Sequence, residues 1–303
     1  MNILILKLGA TGDVVRTTPL LHRLSGSVTW ITAAKNCVFL GGLADNLRHF
    51  SWEARARALD IRYDLAINLE DTLEVALFLK NLRPAEIFGA YADSSRRLRY
   101  TDDSRCWFDL SLISSYGRQK ADRLKLLNRQ TYQELIFTGL GLHFAGEPYV
   151  LPKPIETGLS GDIAIAGDAG DVWPMKKWAY YGKLRKALED QGLTVNVLPK
   201  RPSLLEHLSD VQNYRCLVGG DSLPMHLALG SGTPCVTIFT CTSPWEIYDY
   251  GIQKKIVSPL LEEFFYKRGY DERATMAISI DEVFEAVMAQ LEATPPKAKV
   301  VTV

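Results

Sequence analysis

Apolar residues in this chain gather into short, branched blocks, separated by turn residues and by stretches with helical spacing. Asn2–Leu8 is the first block and has the length of a strand. The loop Gly9-Ala10-Thr11-Gly12 follows, and the pattern then predicts a helix from Asp13 to about Leu24. Val28–Thr32 and Leu65–Leu69 are further strand candidates. Beyond them Leu73, Ala76, Leu77 and Lys80 fall at helical spacing, with Val75 and Leu79 filling the face. Tyr100–Ser114 is less regular and reads as a loop or hairpin, and Arg118–Thr138 reads as helix again. Strands that alternate with helices predict crossover units on a parallel sheet.

The pattern breaks between Glu147 and Gly161, where prolines stand at 148, 152 and 154 and glycines at 158 and 161. It then restarts. Strands are expected at Asp162–Ala166, Leu193–Leu198, Cys216–Val218 and Pro234–Phe239. Helices are expected at Lys176–Gln191, Ser203–Leu208 and Leu223–Leu229. A final helix opens on the capping box Ser279-Ile280-Asp281-Glu282 and runs to about Leu291. The expected organisation is an N-terminal α/β domain over 1–150, a linker over 151–160, a C-terminal α/β domain over 161–294 and a mobile tail over 295–303.

Composition narrows the function. With 303 residues and 47% apolar content, the chain is long enough for two cores without a disulfide or metal staple. Lys+Arg and Asp+Glu both total 35, so overall charge supplies no attraction to nucleic acid, and membrane contact is expected to be peripheral at most. The five cysteines form no C-x-x-C pair and read as reduced thiols of a cytoplasmic protein. The N-terminal block lacks the basic leader and cleavage site of a signal peptide, and no apolar run reaches membrane-spanning length. The histidines are scattered, so neither a metal nor another cofactor is expected.

In open parallel sheets, ligands bind beyond the carboxyl ends of strands. Gly9–Gly12 is one such loop, neither a dinucleotide fingerprint nor a Walker loop. Asp13 behind it is either a helix N-cap or a carboxylate placed to take a proton from a substrate hydroxyl. Gly219-Gly220-Asp221-Ser222-Leu223-Pro224-Met225-His226 is the second: a helix start able to hold phosphate, with His226 either a ligand contact or a core histidine. Thr240 and Thr242 border a third loop that ends at Ser243-Pro244. Trp173-Pro174, with Lys176 and Lys177, forms a fourth, where the lysines either meet a diphosphate or lie solvated. A basic run from Arg96 to Lys125 is either a solvated face or a surface for an anionic acceptor or lipid headgroup.

In this order the pieces resemble the heptosyltransferase family (glycosyltransferase family 9). The resemblance rests on Ile3–Gly9 running through Gly12-Asp13-Val14-Val15 to Thr18-Pro19-Leu20-Leu21. It rests equally on Asp221-Ser222 with Pro224–Ala228, continuing through Gly232–Val236 to Phe239, Thr242 and Pro244. The chain departs from the family at Asp171-Val172, where a lysine usually precedes Trp-Pro, at Leu223 and Thr240, where glycines are usual, and in the short stretch after Leu198.

The resemblance implies a GT-B fold, α/β, with two Rossmann-like domains whose parallel sheets face a central cleft. It implies a metal-independent inverting glycosyltransferase, moving a heptose-like sugar from a nucleotide-sugar donor, typically ADP-heptose, to an acceptor hydroxyl in lipopolysaccharide biosynthesis. Asp13 then corresponds to the catalytic base. Gly9, Ala10, Thr11 and Gly12 shape the acceptor side. Trp173, Lys176, Asp221, Ser222, Leu223, Pro224, Met225, His226, Thr240 and Thr242 hold the donor. The departures leave a second reading open, a scaffold that binds a nucleotide sugar or a protein partner without transfer.

Overall fold

The computed structural model describes residues 1–293. The chain forms two compact units, Met1–Pro152 with Trp245–Tyr248, and Lys153–Pro244 with the chain from Asp249 onward. The segment Trp245–Tyr248 therefore belongs to the first unit although it lies deep in the second half of the sequence. The tail expected over 295–303, and residue 294, lie outside the described residues.

In the first unit, strands β1 (Asn2–Leu6), β2 (Ser27–Thr32), β3 (Leu47–Ser51), β4 (Leu65–Asn68), β5 (Glu86–Ala92) and β6 (Leu98–Tyr100) form one sheet in the order β3-β2-β1-β4-β5-β6. All pairs are parallel except β5–β6. The branched run of β1 is central because both of its faces find cover. Ile3 and Ile5 pack with Val14, Leu20 and Trp30, while Leu4 and Leu6 pack with Tyr63, Val75 and Leu79. Complete burial of these side chains accounts for the continuous apolar run.

The second unit holds an all-parallel sheet of β7 (Gly161–Ala166), β8 (Val195–Val197), β9 (Tyr214–Gly220), β10 (Cys235–Phe239) and β11 (Gln253–Val257), in the order β11-β10-β9-β7-β8. Ile163, Ile165, Val218, Val236 and Ile238 pack against Leu184, Leu188, Val283 and Val287 of the flanking helices. Both units are α/β.

Several expected boundaries move. The first helix starts earlier and ends sooner, at Thr11–Thr17, and Thr18–His22 tightens into a 3-10 turn around Pro19. Arg118–Thr138 is two helices, Arg118–Leu127 and Tyr132–Gly139, because Thr131 and Glu134 close a capping box that restarts the backbone. Lys176 belongs to a short turn, Pro174–Lys176, and the helix expected from it spans only Tyr181–Glu189. The hairpin lies upstream of Tyr100 and is made by β5 and β6. Between β8 and β9 the described chain carries only the helix Leu204–Gln212.

Candidate active site

In the first unit, β1 and β4 are neighbours in register, so Lys7 after β1 and Glu70 after β4 emerge side by side at their carboxyl ends. Lys7 Nζ lies 3.1 Å from Glu70 Oε1. The same carboxylate accepts the Leu8 and Gly9 N–H groups at 2.8 and 3.1 Å, which fixes the loop into the helix Thr11–Thr17. Asp13 stands in the first turn of that helix. Its Oδ2 is 3.7 Å from Lys7 Nζ and its Oδ1 is 2.9 Å from Arg16 Nη2. Arg16 also reaches to 3.7 Å from Glu246, whose other oxygen is 3.1 Å from Lys125 Nζ.

Glu70, Lys7, Asp13, Arg16, Glu246 and Lys125 thus form one chain of alternating charge. Its members are largely buried apart from Asp13, whose side chain is 30% exposed, against 4% for Glu246. Burial alone would lower the Lys7 pKa, but Asp13 and Glu70 outweigh it and raise the ammonium's pKa above its ordinary value. The Arg16 guanidinium lies 4.1 Å over the Tyr132 ring, and the Tyr132 hydroxyl pairs with Thr17 Oγ1 at 2.8 Å, so the far side of the helix is locked. The arrangement offers one accessible carboxylate on a rigid ionic scaffold.

Asp13 is not the helix N-cap. That position is Ala10, which has no capping side chain, and Asp13 sits three residues on. Thr11 and Gly12 fall inside the helix rather than in the loop, and Thr11 Oγ1 donates to Asn36 Oδ1 at 2.7 Å. Gly9 and Ala10 remain in the loop that Glu70 anchors.

In the second unit the loops after β7, β9 and β10 converge. Lys176 Nζ lies 3.0 Å from Asp221 Oδ2 and donates to the Asp221 carbonyl at 2.8 Å. Gly220 makes this approach possible, since a Cβ there would meet the Lys176 carbonyl at 3.0 Å. Burial would raise the Asp221 pKa, yet Lys176, then His226 and Thr242, hold the carboxyl down at about 2 against an ordinary 3.8. His226 and Thr242 are buried against it. The Thr240 hydroxyl donates to the Met175 carbonyl at 2.6 Å, tying the β10 loop to the Trp173–Lys177 turn.

Ser222 occupies the N-cap position of the helix Leu223–Ser231, although its hydroxyl caps nothing. Pro224 has no N–H, and the Met225 and His226 N–H groups bond the Ser222 carbonyl at 3.1 and 3.4 Å. Anion contacts from the expected set Ser222–Met225 therefore fall to the Ser222 and Leu223 amides, because the amides of the following turn are engaged within the helix. Among the described residues no three His, Cys, Asp or Glu side chains gather as a metal site.

The stretch 172–268 matches the family model described as glycosyltransferase family 9 (heptosyltransferase), and it contains every second-unit site residue just described. Over that stretch the chain resembles the heptosyltransferases. Among solved structures it is similar to a family 9 glycosyl transferase from Veillonella parvula, at 16% identity and a TM-score of 0.64, over 96% of this chain and 97% of that one. It is similar to the ADP-heptose lps heptosyltransferase II of E. coli, at 16% and 0.61, over 97% and 99%. It is also similar to E. coli heptosyltransferase WaaC with ADP, at 15% and 0.57, over 96% and 100%. These likenesses show the GT-B fold of two Rossmann-like domains. No curated protein matches the sequence.

The sequence did not mark Lys7, Arg16, Glu70 or Glu246 as site residues, and marked Lys125 only as the end of a basic run. Arg16 had a signal, being three residues from Asp13 on one helix. Lys7 and Glu70 had a weaker one, each just past the end of a strand. Glu246 had none.

Proposed function

We propose that the protein is an inverting glycosyltransferase that moves a sugar from a nucleotide sugar, ADP-heptose being the first candidate, to an acceptor hydroxyl. The observation that carries this reading is the partly exposed Asp13 carboxylate held on an otherwise buried ionic chain at the carboxyl ends of β1 and β4. Asp13 takes the acceptor hydroxyl proton as that oxygen bonds to the anomeric carbon. Attack comes from the face opposite the nucleotide, and the departing bond pair goes to the diphosphate. The Asp221, Ser222, His226 and Thr242 cluster holds the donor, and the dipole of the helix Leu223–Ser231 favours the charge that develops on the leaving group. The family match over 172–268 supports the donor half of this assignment. The acceptor half rests on the geometry around Asp13.

The test is a thermal-shift panel of ADP-, GDP-, UDP- and TDP-sugars, followed by transfer assays with wild type and Asp13→Asn. A true donor at about a hundredfold its Kd adds about 2.7 kcal/mol of stability. Asp13→Asn is expected to cut transfer by about 10²–10⁴-fold while donor binding stays intact. Transfer that persists at the wild-type rate sinks the mechanism. Binding of a nucleotide sugar by wild type without any turnover would instead establish a binding scaffold.

A further inference from the structure

A nucleoside diphosphate carries several negative charges, and the second unit's cluster offers them little free positive charge. Lys176 is occupied by Asp221 through both its carboxylate and its carbonyl. Lys177 faces Asp168 at 4.0 Å, with both side chains exposed. A further cation, Arg268, lies at the edge of the same loops. Its guanidinium sits 4.5 Å over the Trp173 ring, and no carboxylate among the described residues pairs with it.

The platform beneath Arg268 is built rather than incidental. Trp173 meets the Tyr266 ring edge-on at 5.3 Å. Tyr266 adopts a left-handed backbone, with φ of 49°, unusual for a bulky residue, and its N–H bonds the Cys241 carbonyl at 2.8 Å. The turn after Trp173 is tied to Thr240 through Met175, and Met175, Cys241 and Phe264 share one apolar cluster beneath. The strands β7 and β10 therefore send their loops, and the chain beyond Phe264, to one place. Arg268 is the cation that stands on it.

We infer that Arg268, stacked on Trp173, is a diphosphate-binding residue of the donor site, selecting nucleoside diphosphates over monophosphates. This rests on the donor reading above. The planar guanidinium can offer two parallel N–H donors to phosphate oxygens while its face stays on the indole, which a lysine cannot do. The stack restricts the side chain before the ligand arrives, so less freedom is lost on binding.

The experiment is calorimetric titration of the full chain with ADP and with AMP, for wild type, Arg268→Gln and Arg268→Lys, each first shown to unfold at the wild-type temperature without nucleotide. Wild type is expected to prefer ADP. Arg268→Gln is expected to weaken ADP by about tenfold or more and AMP by much less, and Arg268→Lys to fall between. The salt dependence of ADP affinity is expected to shallow in Arg268→Gln. Equal ADP affinity in wild type and Arg268→Gln overturns the inference alone, as does an equal loss for ADP and AMP. No binding of ADP, GDP, UDP or TDP by wild type overturns the donor reading and this inference with it.

Discussion

Arg16 Nη2 stands 2.9 Å from Asp13 Oδ1, one helical turn away, and the same guanidinium reaches Glu246 at 3.7 Å. Arg16 is thus shared between one accessible carboxylate and one buried carboxylate. Those two acids should differ clearly in what their loss costs. Glu246→Gln strips a buried charge from between Arg16 and Lys125 and should cost about 3 kcal/mol. Asp13→Asn removes an acid that water still reaches and should cost less than about 1 kcal/mol. Urea unfolding of the two variants checks this, and an Asp13→Asn loss equal to that of Glu246→Gln would make Asp13 a structural group.

Glu70 is the anchor of the loop that delivers Asp13. It is buried, and its Oε1 accepts two successive backbone N–H groups besides pairing with Lys7. Glu70→Ala leaves Lys7 with only Asp13 and both amides unpartnered, for an expected loss of about 3 kcal/mol. Glu70→Gln keeps an oxygen for the amides and should cost clearly less. Denaturant melts of both variants decide it, and an Ala variant within about 1 kcal/mol of wild type would contradict the anchoring role.

The parts of the fold legible in the sequence were those buried on both sides. Asn2–Leu6 and Cys235–Phe239 announce themselves because every face of these strands needs apolar cover. The strands that escaped notice are mostly edges. Leu47–Ser51 carries Arg48 and His49, and Gln253–Val257 carries Lys254 and Lys255, as suits strands with one unpaired side. Glu86–Ala92 was hidden differently, by Gly89, whose φ of 103° serves a close approach to the Asn68 carbonyl. At the candidate site, Asp13 and the Asp221–His226 run stand out in the sequence because local chain chemistry marks them. Glu246 was not, because its cationic partners lie more than a hundred residues away in sequence and only folding brings them together.

Thiol chemistry checks the core placement. Cys216, Cys235 and Cys241 are buried, whereas Cys37 and Cys106 are partly accessible, and all five are free. Burial pushes the Cys235 thiol up to about 12 and raises the Cys37 and Cys106 thiols as well. A thiol reagent at neutral pH should therefore modify only Cys37 and Cys106 in the native protein, and slowly, because little thiolate is present. All five should react in strong denaturant. Rapid native modification of Cys216 or Cys235, read by peptide mass, would be inconsistent with the β9–β10 packing.

Asp221 makes stability depend on acid pH in a definite direction. Its folded pKa is held at about 2, below the ordinary 3.8, mainly by Lys176 against the opposing effect of burial. A depressed carboxyl binds its proton more weakly in the folded state, so the stabilisation is complete above about pH 4 and is lost as pH falls toward about 2. The shift corresponds to about 2 kcal/mol at neutral pH. Asp221→Asn cannot ionise and leaves Lys176 without its carboxylate, so it should be less stable than wild type by about that amount at pH 7. The gap between the two should close as wild-type Asp221 takes up its proton. Other carboxylates titrate in the same range in both proteins and cancel in the difference, which is why the pair and not wild type alone must be measured. Denaturant unfolding of both at pH values from about 7 down to about 2 reads that difference directly. A gap that stays constant to the lowest pH would mean the Lys176–Asp221 contact contributes nothing to the folded state.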